Sequence, residues 1–297
     1  MKIGLTPLLV FPIPLLAQPV INAADVTPAW GTTATMYDVE PAIAAGPTGA
    51  NFVFNPGAIA PGTSMQSQTV QPSSSPYAST FPTATHANTS LVNPETYSYT
   101  RIQADGVYML GSAGPDYSMV YSNSDRIFAL PLTNGTSWTD QWSATSTMAG
   151  MEILRTGTTS GAYNGYGTLV LPWGTYTVAR VELNQTMTDT YMGEEFAENQ
   201  VNVVSYVSPL YDVALFSTST VTTPDPLGGE PMVVSSTSVS QPGGVGVSER
   251  ERTARFDVFP NPATSTLNLD LSGLEGNKQI LVMDATHPFE TQDLQIA

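Results

Sequence analysis

Trp138, Asp140 and Trp142 fall two residues apart in "SWTDQW", and Trp173 opens the turn "PWG". Indole rings beside a carboxylate are side chains that stack on a sugar and hydrogen-bond its hydroxyls. Trp138, Asp140 and Trp173 are therefore the candidate ligand-binding residues, with core or turn packing as the competing use of each ring. Catalytic candidates are scarcer. Only two histidines are available, His86 in "TATHANTS" and His287 near the C-terminus. No G-x-S-x-G supplies a nucleophile elbow for a Ser-His-Asp triad. No H-E-x-x-H, phosphate-cradling Gly loop with Lys, or EF-hand spacing occurs. No catalytic, cofactor-binding or metal-binding residue is assigned, and no cofactor is expected. Glycoside hydrolysis needs only two carboxylates at the right separation. Glu152, Glu182, Glu194, Glu195, Asp140 and Asp189 are all eligible. Calcium is open to the pairs Asp116/Asp125 and Asp189/Glu194 through loop oxygens, though no motif supports it.

These residues must be positioned by strands. Ser, Thr, Tyr and Val are abundant and only 11% of the 297 residues are charged, which favours strands and turns over helices. "TYSYTRIQADGVYML" places two β-rich runs around Asp105-Gly106, and "YSMVYSNSDRIFALPL" does the same around Asn123-Ser124-Asp125. "GTLVLPWGTYTVARVEL" reads as a strand over Thr168–Leu171, a turn at Pro172-Trp173-Gly174 and a second strand. In that second strand Ala179, Val181 and Leu183 share the core face. "MGEEFAENQ" reads as one or two helical turns, and residues 51–93 as long loops or an irregular edge, with His86 a solvated loop residue. The expected fold is all-β, with a β-sandwich cargo domain over residues 25–216.

Charge and cysteine content exclude several functions. Nine Lys and Arg stand against 25 Asp and Glu, a net charge of −16, and no Lys lies between Asp25 and Glu230. Nucleic acid is a poor partner, since phosphate binding needs a basic stripe. An anionic membrane surface is disfavoured for the same reason. With no cysteine, disulfides, thiolate metal sites and lipoprotein acylation are excluded.

The ends read as addresses. Lys2 precedes an apolar run from Ile3 to Leu16, too short to span a bilayer but suited to a signal peptide. Residues 1–17 form that peptide, with cleavage between Ala17 and Gln18 or as late as residue 24. No transmembrane segment is expected. Residues 217–254, broken by Pro-Asp-Pro, Gly-Gly and Pro-Gly-Gly, read as a flexible linker or as a late strand with long loops.

Beyond the linker, "FDVFP" is a short strand, and Pro260, Asn261 and Pro262 force a turn. In "TLNLDL", Leu267, Leu269 and Leu271 alternate onto one face, and "KQILVMDA" is a third strand. Phe259-Pro260-Asn261-Pro262, "TSTLNLDLSG" and "ILVMDA" together resemble the type A C-terminal sorting domain of proteins exported by the type IX secretion system of Bacteroidota. The likeness spans about Arg255 to Ala285. It implies an Ig-like β-sandwich over residues 255–297 and the type IX machinery as partner. It further implies passage through the periplasm to the outer-membrane surface or the medium of a Gram-negative bacterium. That sandwich is incomplete, because "THPFETQDLQIA" stands where the family adds further strands. The stretch from Arg126 to Ser217 is similar to uncharacterised β-rich cargo found ahead of such domains. The resulting expectation is an exported, non-catalytic protein for adhesion or for glycan or matrix binding. A secreted polysaccharide hydrolase and a purely structural surface protein are the alternatives.

Overall fold

The computed structural model describes residues 18–225 and 228–240, and four short strands between 258 and 292 by their backbone alone. The chain divides into two units, Met1–Val247 and Ser248–Ala297. The larger is built almost wholly of strands: β1 (Thr33–Val39), β2 (Gly49–Phe54), β3 (Pro61–Val70), β4 (His86–Ser90), β5 (Tyr97–Gln103) and β6 (Gly106–Gly114). β7 (Tyr117–Ala129), β8 (Ser137–Met148), β9 (Met151–Leu171), β10 (Gly174–Tyr191), β11 (Glu194–Ser208), β12 (Tyr211–Thr223) and β13 (Met232–Ser240) follow.

From β3 to β13 each strand pairs antiparallel with the next, and β1 inserts between β3 and β13, with Met36 opposite Ser240. Twelve strands thus close on themselves. β2 stands outside the ring, paired in parallel with the part of β9 that β8 does not reach. This corrects the β-sandwich expectation. Two stacked sheets would leave four edges, whereas ring closure removes them. The region read as a linker instead contributes the end of β12 and all of β13, which is the late-strand alternative. Residues 51–93, read as loops, supply β3, β4 and most of β2.

Two expected turns also move. Asn123-Ser124-Asp125 lies within the continuous β7, whose hairpin to β6 turns at Pro115-Asp116. "MGEEFAENQ" is the tight β10–β11 hairpin, turning at Met192-Gly193, with no helix. The turn at Pro172-Trp173 stands as expected.

A ring of twelve strands encloses more space than small side chains fill. Along β8, Trp138, Trp142 and Ala144 are buried while Ser137, Thr139 and Gln141 are exposed, so the first set faces inward. Trp138 and Trp142 are four residues apart, and so are Gly161 and Gly157 on β9; the antiparallel register sets Trp138 opposite Gly161 and Trp142 opposite Gly157. A Cβ on either glycine would overlap the facing indole, so the glycines are the seats of the two rings. Ile21 bridges Leu132 and packs with Trp138, Tyr163, Val181 and Val207, so the residues from Gln18 to Val26 extend this inward core. On the opposite face Phe52, Phe54 and Ile59 cover Val178, Tyr206 and Phe216. Burying each such side chain fully stabilises the fold by about 1.5–3 kcal/mol.

The C-terminal unit holds β14 (Val258–Phe259) paired with β15 (Asn268–Leu269), and β16 (Ile280–Asp284) paired with β17 (His287–Gln292). Among the described residues these are two separate two-stranded sheets. Pro260, Asn261, Pro262, Leu267 and Leu271 of the sorting pattern lie outside the described residues, as does Ala17 of the cleavage site.

Candidate functional site

Neither face of β8 forms the aromatic platform. Trp138 is 6% exposed, and its indole N–H donates to the Arg126 carbonyl at 2.9 Å. Asp140 accepts the Arg126 backbone N–H at 2.6 Å. β7 and β8 stop pairing after Asn123–Ser143, so these side chains, with the Asn123 amide on the Gln141 carbonyl, stand in for the missing ladder. Trp173 packs half-buried against the opposite core, around Phe54 and Phe216. The three predicted residues do not share a surface; each is engaged with its neighbours, and Trp138 also lines the depression described below.

Inside the barrel, Asp125 is 1% exposed, with one oxygen accepting Gln185 at 2.7 Å and the other without a partner. Burial pushes its carboxyl up to about 6, the Asp140 charge adds to the rise, and Thr159 and Gln185 oppose it. Thr159 accepts both the Trp142 indole N–H at 3.0 Å and Gln185 at 3.1 Å. Tyr121 is raised to about 12 by burial first and the Asp125 charge second. Arg155 and Asp189 form a two-pronged pair at 2.6 and 2.7 Å. Of the two calcium pairs, Asp125 lies within a strand and Asp189 is paired with Arg155. Among the described residues no group of three His, Cys, Asp or Glu could hold a metal. His86 is buried in β4 rather than solvated, and burial lowers its pKa despite a bond to the Pro28 carbonyl.

The outer wall carries the more open arrangement. Arg180 pairs Gly165 and Val181 pairs Tyr163, so Asn164 is the extra residue of a bulge in β9. Bulges re-aim side chains, and this one brings Asn164 onto its neighbours. Arg180 donates to Asn164 at 2.5 Å and to Glu182 at 2.8 Å. The Asn164 amide donates to the same Glu182 oxygen at 2.8 Å, and Asn202 donates to the other at 3.0 Å. Burial alone would raise the Glu182 pKa, but the bonds from Arg180, Asn164 and Asn202 outweigh it and hold the carboxylate ionised. Beside this network lies a depression of about 450 Å³. Ser137, Thr139, Ser160, Asn164, Glu182 and Asn184 rim it, over a floor at Trp138, Gly161 and Ala162. Of these, Trp138 is one of the three ligand-binding candidates of the sequence, and Glu182 is one eligible carboxylate of several. The alternation of Ser, Thr and Asn along β8–β10 was the available signal, and it is faint because both faces of these strands carry hydroxyls.

No family model and no curated protein matches the chain. Among solved structures, a hypothetical lipoprotein, YmcC, from Escherichia coli K12 aligns at 10% identity with a TM-score of 0.32. The alignment covers 73% of this chain and 85% of that one. Among the described residues no helix is long and apolar enough to cross a membrane.

Proposed function

We propose that the chain is an exported, non-catalytic protein whose barrel binds glycan or glycan-rich matrix outside the cell or on its outer-membrane surface. The observation that carries this reading is the depression over the Asn164 bulge. It presents hydroxyls, amides and one ionised carboxylate, the donors and acceptors that match sugar hydroxyls. The geometry favours binding over hydrolysis, because Glu182 is the sole carboxylate rimming the depression. Two-carboxylate hydrolysis needs a partner across the sugar ring and, in one of the pair, a proton to give. Glu182 is held ionised by Arg180 instead.

Export by the Sec route and the type IX machinery rests on the N-terminal apolar run and the Phe259–Pro262 pattern. The core supports cleavage between Ala17 and Gln18: a cut at residue 24 would remove Ile21, fully buried, and Pro19, whose carbonyl accepts the Tyr163 hydroxyl. The test is retention of the full chain on immobilised neutral polysaccharides beside a Ser160→Ala/Asn184→Ala double variant. Both residues are exposed, so the variant keeps its melting temperature and loses at least tenfold in affinity. No retention of the parent, or equal retention of both, contradicts the reading and leaves the structural alternative.

A further inference from the structure

The depression opens onto a regular array. The ladder registers align Thr139, Ser160, Asn184, Asn202, Thr220 and Ser235 in one row across β8 to β13. The next row is Gln141, Thr158, Thr186, Gln200, Thr222 and Val233. Ser160, Asn184, Thr158, Thr186 and Gln200 are exposed, which fixes these rows to the outer wall. Eleven of the twelve side chains are hydroxyls or amides, and none is charged. Five inter-strand steps of about 4.8 Å carry each row over roughly 24 Å.

We propose that the two rows form a track for an extended, uncharged polysaccharide chain lying across the strands, with the depression as one subsite. This rests on reading the depression as a sugar site. The charge pattern selects an uncharged polymer. Glu182 flanks one row and Glu198, opposite Thr188, flanks the other, while Arg155 pairs with Asp189 inside and Arg180 is 4% exposed. An anionic chain would meet carboxylates on both sides, and neither row contains a cation. A protein partner fits poorly, since the rows offer Val233 alone as an apolar anchor and no aromatic residue. A sugar chain instead presents a donor or acceptor at each repeat.

The experiment titrates the full chain with linear neutral glucan and xylan oligosaccharides of one to six units, and with a sulfated glucan. Thr220→Val, distant from the depression, removes one hydroxyl at nearly constant shape. Affinity rises with length up to four or more units. Thr220→Val costs about fivefold for the longest chain and nothing for the monosaccharide, as expected for one hydrogen bond. The sulfated chain binds at least tenfold more weakly. Length-independent binding, lost in Ser160→Ala/Asn184→Ala but not in Thr220→Val, overturns the track and keeps the depression as a terminal-sugar site. Tighter binding of the sulfated chain overturns the charge argument and with it the proposed ligand. No binding of any of these sugars overturns both readings.

Discussion

The two faces of β8 and β9 carry consecutive residues to opposite uses. Inward, Trp138, Asp140 and Trp142 are spent on Arg126, Thr159 and the glycine seats. Outward, Thr139 and Ser160, their immediate neighbours, are open to solvent. The side chains richest in potential chemistry are the ones the fold consumes, and the plain hydroxyls are the ones left to meet a partner. A wide ring explains this. Its interior needs large rings and satisfied polar groups to fill it, whereas its exterior needs only to be wet.

Substitutions on the inner face should have the largest effects. Trp142→Ala removes a buried ring and one of the two hydrogen bonds to Thr159, with an expected loss of about 3–5 kcal/mol by chemical denaturation. Gly161→Val drives a side chain into Trp138 and should cost about 1–3 kcal/mol or more. Glu182→Gln is the exception on the outer wall, because it leaves the buried Arg180 without its charge partner; a loss of about 3 kcal/mol is expected.

Asp125 gives a pH signature. Its folded-state pKa of about 6 exceeds the ordinary 3.8, so its stabilising contribution is complete below the ordinary value and is lost as pH rises through 6. The barrel should lose on the order of 2–3 kcal/mol between pH 4 and pH 7, and Asp125→Asn should flatten that slope. The smallest effect belongs to the outer face: Thr139→Val should change stability by less than about 0.5 kcal/mol.

The sequence disclosed strands better than it disclosed their closure. The Pro172-Trp173 turn and the inward set Ala179, Val181 and Leu183 were legible from short-range pattern. Ring closure depends on four residue pairs between β1 and β13, some two hundred residues apart, and leaves no local trace. β13 itself passed for linker because Ser235, Ser236, Thr237 and Ser238 erase the period-two contrast that marks a half-buried strand. Trp138 and Asp140 misled because residue type says what a side chain can do, not which way it faces. The matched four-residue spacing of Trp138/Trp142 and Gly157/Gly161 was a readable signal for both pairing and direction.

The most direct test of the division between faces is one calorimetric titration of three chains with a neutral oligosaccharide of six units, each chain also melted. The account predicts that Ser160→Ala/Asn184→Ala loses binding at unchanged melting temperature, while Trp142→Phe melts lower yet binds as the parent does. Binding lost in Trp142→Phe but kept in the double variant would place the ligand inside the ring and contradict it.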